Sequence, residues 1–469
     1  MRLQHHGRCP LPPGPTPLPF IGNLFDIPTG RSWLGWLSHA KRYGALTYLR
    51  MFDTHIIALN DPQAAVELFE KRSAVFSERP QLVFGGEMCG WKDTLALLNY
   101  GAKFRMYRKE LHQILGTPIA ISKFHRLIET ETRRFLVRIV NDYNTVQDNN
   151  RNVDENRSIL KHIQTSVGAI ILRIVYGYTL DPNIEKHGRH DPLIALAERG
   201  VGQISMAAQP GAFLVDLLPI LRHIPAWFPG AKFQQTAQHF RETVMELVEK
   251  PYIFVQNQIA TGSADPSYVS ELVSKYISVN ASGLLTPEQE QLIKWSASSL
   301  YTGGADTTTS AIQSFFLAVI THPHVSRRAQ AEIDAVCVTE NGDGVKVARL
   351  PTFRDREKLF YVNALVYEVL RWAPVAPMGI PHVNSEDVEW EGWKIPKGSL
   401  VLANIWAYSH DENVYERPAE FRPERFLGTT QSSSTLSSQH ENLLDHFSNA
   451  GMTPGSFSRH SRDLDPNET

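Results

Sequence analysis

Apolar residues recur at three- and four-residue spacing through "PQAAVELFEKR" (62–72), "FHRLIETETRRFLVRIVNDY" (124–143), "ILKHIQTSVGAIILRIVYGY" (159–178) and "TAQHFRETVMELVEKPYIFVQNQIA" (236–260). That period predicts helices with one face turned to a core. Strand-like alternation is confined to "LTYLRMFDTHIIALN" (46–60) and to "PHVNSEDVEWEGWKIPKGSLVLANI" (381–405), where Gly392 marks a hairpin turn. "NTVQDNNRNVDEN" (144–156) and "NASGLLTPEQE" (280–290) read as surface loops. The fold class expected is mainly α with a small discontinuous β-sheet lobe. No internal repeat interrupts it.

The segment Pro10–Pro19 carries six prolines at near-alternate positions. Fixed φ angles and missing donors make it a stiff arm, and composition alone favours a simple linker. From Thr429 the chain turns to Ser, Thr, Gln and His. The expected division is an arm at 1–24, one large domain at 25–427 and a polar, disordered tail at 428–469. At 469 residues and 42% hydrophobic, the chain can bury a large core. A net charge of -2 gives no basic excess for nucleic acid. Three cysteines, Cys9, Cys89 and Cys337, are too few and too scattered for a disulfide framework or a zinc site, so no metal site is expected from spacing.

Chemistry first shows in "FYVNALVYEVLRWAP" (360–374). Val362, Leu365, Val366, Val369, Leu370 and Trp372 cover most of the helix circumference, so the helix should be largely interior. Glu368 and Arg371 lie one turn apart on one face. A surface pair is the ordinary reading of that spacing, but apolar surroundings point to a buried one. Buried charges persist only when paired and hydrogen-bonded, so a third partner is expected; Arg425 in "FRPERF" (421–426) can supply it.

A second anomaly is the long helical pattern that starts at Thr286-Pro287 and stops at Pro323, because its centre reads "GGADTTT". Each glycine costs ~1 kcal/mol against alanine in a helix interior. Gly303 and Gly304 could let a flat ligand lie against the backbone, with Asp306 and Thr307 offering a carboxylate and a hydroxyl as a proton relay. They could equally let another helix pack closely. The motif alone leaves both readings open.

"GGADTT", then "EVLR", then "FRPERF" in this order resembles the cytochrome P-450 family of haem-thiolate monooxygenases. The likeness extends through "LPPGPTPLPFIGNL", "FSERP" (76–80) and "YGAKFRMYRKELH" (100–112). "DLLPILRHIPAWFPGAKF" (216–233) resembles fungal members that oxidise secondary metabolites. The resemblance implies haem as cofactor, a cytochrome P-450-like fold incomplete at its C-terminus, and a role for each motif residue. Gly303, Gly304, Asp306 and Thr307 match the oxygen-binding groove. Glu368, Arg371 and Arg425 match the structural triad, and Arg108 and His382 match propionate contacts. Phe104 stands where the family commonly has a tryptophan, and phenylalanine cannot donate that hydrogen bond. An NADPH-dependent flavin reductase, a small apolar substrate and the cytosolic face of the endoplasmic reticulum membrane are implied in the same way.

One element of the resemblance fails. The family needs a cysteine thiolate on the haem iron, which pushes electron density toward O–O cleavage. It belongs in a Gly- and Arg-containing loop soon after "PERF". No cysteine follows Phe426, and "SNAGMTPGSFSRHSRDLDPNET" (448–469) departs from the family pattern altogether. A shifted reading frame, a retained intron or a truncated gene would produce such an end. The expectation is a family member inactive as written. A haem-free pseudoenzyme that binds substrate or a partner is the alternative. A haem carrier ligated by His440, His446 or His460 is a third reading, and solvated histidines in a disordered tail are the plainer one. Losing the final helix should expose apolar surface on the central helices. Only nine residues precede Pro10, so no anchor is expected and the chain could be cytosolic. The 217–233 stretch could dip into a lipid interface with Trp227 and Phe228, or pack as an ordinary loop.

Overall fold

The computed structural model describes residues 9–149, 159–181, 191–209, 211–340 and 346–428. The histidines of the tail, and everything expected of residues 429–469, lie outside them. The chain divides into two compact units. One takes residues up to Pro80 together with those from Ser314, and the other takes Gln81–Gln313. The boundary between them falls inside the long helix Pro287–Thr321.

The Gln81–Gln313 unit is built from helices. Ala102–Leu115, His125–Asn149, Ile159–Tyr176, Pro192–Ala207, Lys232–Ala260 and Tyr268–Val279 pack with the first part of Pro287–Thr321. Their buried faces, among them Tyr107, Leu172, Val175, Leu247, Val269, Ile293 and Tyr301, form one continuous core. Ser267 caps the Tyr268–Val279 helix through the Ser270 amide, and Asp191 accepts from the amides of Leu193 and Ile194 at the start of Pro192–Ala207. Ile159–Tyr176 is long and apolar enough to cross a membrane, but half of it is buried in this core. The loop expected from Asn144 is instead helical as far as Asn149, and residues 150–158 fall outside the described part.

The other unit holds the strands. β1 (Leu46–Met51) and β2 (Thr54–Leu59) form a hairpin. β3 (Val338–Glu340) and β4 (Lys346–Ala348) form a second pair that the sequence pattern did not announce. β5 (His382–Val383) precedes the hairpin of β6 (Val388–Trp390) and β7 (Trp393–Ile395). β8 (Leu400–Ala403) runs parallel to β2 and antiparallel to β5, giving a four-stranded sheet in the order β1-β2-β8-β5. The turn expected at Gly392 joins β6 to β7, with Glu391 and Gly392 both at positive φ, as a two-residue hairpin turn demands.

The proline arm is not a free linker. The Pro10 carbonyl accepts from the Lys394 amide, the Pro13 carbonyl from the Tyr48 amide, and the Pro15 carbonyl from Asn23 Nδ2. Proline removes donors and leaves acceptors, so an arm of this composition can still dock through its carbonyls onto strand edges. Composition could not reveal those partners. Gly14 is required there, since a Cβ would lie 1.8 Å from the Tyr48 carbonyl oxygen.

The Phe360–Trp372 helix is only partly interior. Leu365, Glu368, Val369 and Arg371 are buried, while Val366 and Leu370 on the opposite flank are exposed. Its first turn is capped from a neighbouring helix. The Glu332 carboxylate accepts from the amides of Tyr361 at 2.8 Å and Val362 at 2.9 Å, satisfying donors that a helix N-terminus leaves open.

Candidate functional site: a buried ion-pair network, a glycine flank, an arginine and a neutral histidine

The network around Glu368 and Arg371 is closed. Arg371 Nε donates to Glu368 Oε2 and Nη2 to Oε1, both at 2.7 Å, and the two residues are 0% and 3% exposed. The remaining Arg371 donors reach the carbonyls of Ser409 at 2.7 Å, Pro418 at 2.9 Å and Glu420 at 3.3 Å. All five guanidinium hydrogens therefore have acceptors. Glu368 Oε1 also accepts from the Arg422 amide at 2.8 Å and from Arg425 Nε at 3.4 Å. Arg425 is in place but contacts the carboxylate only at long range. Its other donors hold the carbonyls of Glu416, Arg417 and Glu420. The tighter third partner is a backbone amide, which no side-chain motif could have named.

The two central glycines of the Pro287–Thr321 helix do different work. A Cβ on Gly304 would come within 2.8 Å of Ile171 Cδ1, so this position allows close packing on the Ile159–Tyr176 helix. A Cβ on Gly303 would meet nothing within 4 Å. The sequence left packing and ligand approach as alternatives; Gly304 takes the packing geometry, and Gly303 faces open space. Asp306 and Thr307 share the exposed flank with Gly303, within an arc of roughly 100° at 3.6 residues per turn. The Asp306 carboxyl reaches solvent yet is crowded by protein on its other sides, and desolvation raises its pKa above the usual carboxylate value. Thr307 Oγ1 donates to the Gly303 carbonyl at 2.7 Å. To pass a proton outward, that hydroxyl would first have to rotate off the helix backbone.

Arg108 sits on the Ala102–Leu115 helix, its guanidinium 5.7 Å from the centre of the Phe104 ring. Burial lowers its pKa, but a guanidinium keeps its charge in proteins. Phe104 thus gives up a donor yet offers a π face to the cation. His382 lies on β5, its Nδ1 2.6 Å from the Phe76 carbonyl. A carbonyl can only accept, so the ring carries its proton on Nδ1. Burial, then the Arg79 charge, lower its pKa to about 3, against the opposing pull of the Phe76 carbonyl. At neutral pH, Nε2 is an acceptor and would donate to a carboxylate only after gaining a second proton. Arg79 braces the same corner by donating to the carbonyls of Ile380 and Pro381.

The sequence profile of the cytochrome P-450 family matches residues 12–443. The chain is a member of that family. It is 42% identical over 91% of its length to cytochrome P-450 monooxygenase 208 of Postia placenta, covering 77% of that protein. It is 38% identical to cytochrome P-450 monooxygenase claR of Ampulloclitocybe clavipes, over 90% of this chain and 72% of that one. A similar 38% identity links it to O-methylsterigmatocystin oxidoreductase of Aspergillus flavus, over 90% and 74%.

A cytochrome P-450 implies haem, and the described residues fit it in part. Within the Gln81–Gln313 unit, Gly303 leaves an open flank and Arg108 offers a cation that could take a carboxylate; His382, in the other unit, has no hydrogen on Nε2 to offer one at neutral pH. No described residue fits as the iron's thiolate. Cys89 is fully buried, and desolvation, with the nearby Asp216 charge adding to it, pushes its thiol up to about 12. Cys337 is buried at the end of the Pro323–Cys337 helix, and Cys9 belongs to the proline arm.

Two outcomes follow. Gly303→Ala should raise stability by about 1 kcal/mol, the propensity gain of alanine in free space, while Gly304→Ala should gain less or lose, because Ile171 must move. Urea midpoints for the two variants measure the contrast. A histidine with a lowered folded-state pKa stabilises the fold above its unfolded value near 6.5, and that contribution is lost as pH falls from there toward 3. His382→Gln should therefore flatten the acid limb of a pH-stability curve between those values; an unchanged limb would show that the histidine does not set it.

Proposed function

We propose that this cytochrome P-450 keeps the architecture of a fungal secondary-metabolism monooxygenase but, with the sequence as written, does not build the thiolate-ligated haem that oxygen activation requires. One observation carries the reading: the family match runs to residue 443, and no cysteine follows Cys337 anywhere in the chain. The intact relative would use haem, dioxygen and electrons from an NADPH-dependent flavin reductase. One relative is named for oxidising O-methylsterigmatocystin, which supports a small apolar metabolite as the substrate class. A haem-free pseudoenzyme remains the second reading.

For location, we take the cytosolic face of the endoplasmic reticulum membrane from the family, with a lipid contact through residues 217–233. Leu218, Ile220, Trp227 and Phe228 are all exposed, which favours an interfacial segment over a loop packed inward. Asp216 turns inward to the Phe84 amide at 2.8 Å and Arg222 is paired with Glu87 at 2.7 Å, which leaves Lys232 as the exposed cation of the stretch.

Two measurements test these statements. The purified 469-residue chain, reduced and exposed to carbon monoxide, should lack the red-shifted Soret band of thiolate ligation; its appearance, or NADPH-supported hydroxylation by this polypeptide, overturns the inactive reading. Deleting residues 218–230 should reduce pelleting with microsomes, and more so at low salt; equal pelleting would dismiss that segment as a lipid contact.

A further inference from the structure

The helix His125–Asn149 turns an apolar seam to solvent. At 100° per residue, Arg126, Arg133, Val137, Val140 and Asn144 fall within an arc of roughly 60°. All are exposed, and Leu136 and Tyr143 are exposed along one edge of that arc. The bonds to the Ile159–Tyr176 helix leave from the other side. Asp142 Oδ2 lies 2.6 Å from His162 Nε2, and the Glu131 carbonyl accepts from Ser166 Oγ at 3.4 Å. Positions 131 and 142 are roughly 160–180° round the helix from Arg133. The seam therefore points away from the neighbour that anchors the helix.

A surface helix ordinarily turns polar residues to water. Here Val137 is 58% exposed, Val140 54% and Tyr143 62%. The positions 126, 130, 133, 137, 140 and 144 advance in alternating steps of four and three, the spacing at which one helix receives another. The apolar part fills the C-terminal half. Cations fill the other half, with Arg126 and Arg133 on the arc and Arg134 at its edge. Carboxylates are kept off it. Glu131 is buried and paired with Arg134 at 2.6 Å, Asp142 is bonded to His162, and Glu129 is half-buried. Between Arg126 and Asn144, no exposed carboxylate offsets the cations.

We propose that this seam docks an amphipathic helix of a partner protein, one that sets carboxylates against Arg126 and Arg133 and aliphatic side chains against Val137 and Val140. The charges choose among occupants. A second copy of this surface would bring the same cations and no exposed carboxylate to meet them, and like charges juxtaposed at an interface oppose association. A flat anionic surface would satisfy the arginines but gains nothing from four-and-three spacing, which matches the ridges of a helix. An acidic helix uses both halves of the seam. Its carboxylates form charge-assisted hydrogen bonds with the guanidinium forks, and its apolar face removes the valines from water. The seam is already fixed on a packed helix, so only the incoming segment pays for ordering.

The test is titration of the full chain with a synthetic three-heptad helix that carries leucine at its seam and glutamate on both flanks, read by fluorescence anisotropy of a dye on the peptide. Arg133→Gln should weaken binding about tenfold, the loss of one charge-assisted hydrogen bond. A double variant, Val137→Ser with Val140→Ser, should weaken it by at least as much. Binding should also fall in 0.5 M salt, at roughly a 4 Å screening length, and for a peptide with glutamine in place of glutamate. Serine and valine have similar helix propensities, and the replaced side chains are exposed, so melting temperatures should hold. Absence of binding to the unmodified chain overturns the proposal, as does binding that either variant leaves undiminished. Sedimentation showing self-association that the valine double variant abolishes assigns the seam to a second copy and overturns it too. So does binding to phosphatidylserine vesicles that Arg133→Gln removes while the peptide stays unbound.

Discussion

The Glu368–Arg371 pair is the constraint around which the sheet-bearing unit is organised. A guanidinium and a carboxylate withdrawn from water are stable together only if their remaining donors and acceptors are used, and removing one partner typically costs ~3–5 kcal/mol. Here every Arg371 hydrogen has an acceptor, and three of those acceptors are carbonyls in the irregular stretch 409–420. That stretch has few regular backbone partners of its own. The pair therefore organises a loop as well as joining two side chains: the charge supplies what a strand ladder would otherwise provide. Arg425 repeats the device from the other end by holding the carbonyls of 416, 417 and 420.

How much of this was legible in the sequence depends on the kind of atom involved. Side chains that meet at helical spacing could be read, so the pairing of Glu368 with Arg371 and the span of the Pro287–Thr321 helix emerge from pattern alone. Partners contributed by backbone could not. The Arg422 amide on Glu368, the Phe76 carbonyl that fixes the proton of His382, and the strand edges that take the proline arm leave no residue-type signature. Circumference arguments failed for a related reason. The apolar residues of Phe360–Trp372 exceed what the described neighbours cover, so Val366 and Leu370 are exposed although hydrophobicity placed them inside. The β3–β4 pair has three residues in each strand, too short for alternation to register.

The two glycines show why a motif and its geometry must be read separately. "GGADTTT" reads as one weak patch in a helix, yet its cost is spent twice. Gly304 removes a side chain that would crowd Ile171, and Gly303 removes one that would occupy free space. Only the second leaves an open flank, and on it a carboxylate raised by desolvation and a back-bonded threonine stand side by side. The same separation applies to Phe104. Its lost donor was evident from sequence, but the π face it turns to Arg108 is a matter of placement.

The contacts that hold this fold can be named among the described residues. The buried pair draws its hydrogen bonds from Ser409, Pro418, Glu420, Arg422 and Arg425, and the helical core closes through its own apolar faces. A protein whose most demanding electrostatic site is satisfied by backbone carbonyls can lose an iron ligand without stranding a buried charge. Loss of a sulfur would then cost the chemistry far more than the stability, because oxygen activation depends on one thiolate, whereas the fold depends on a network in which that atom has no part.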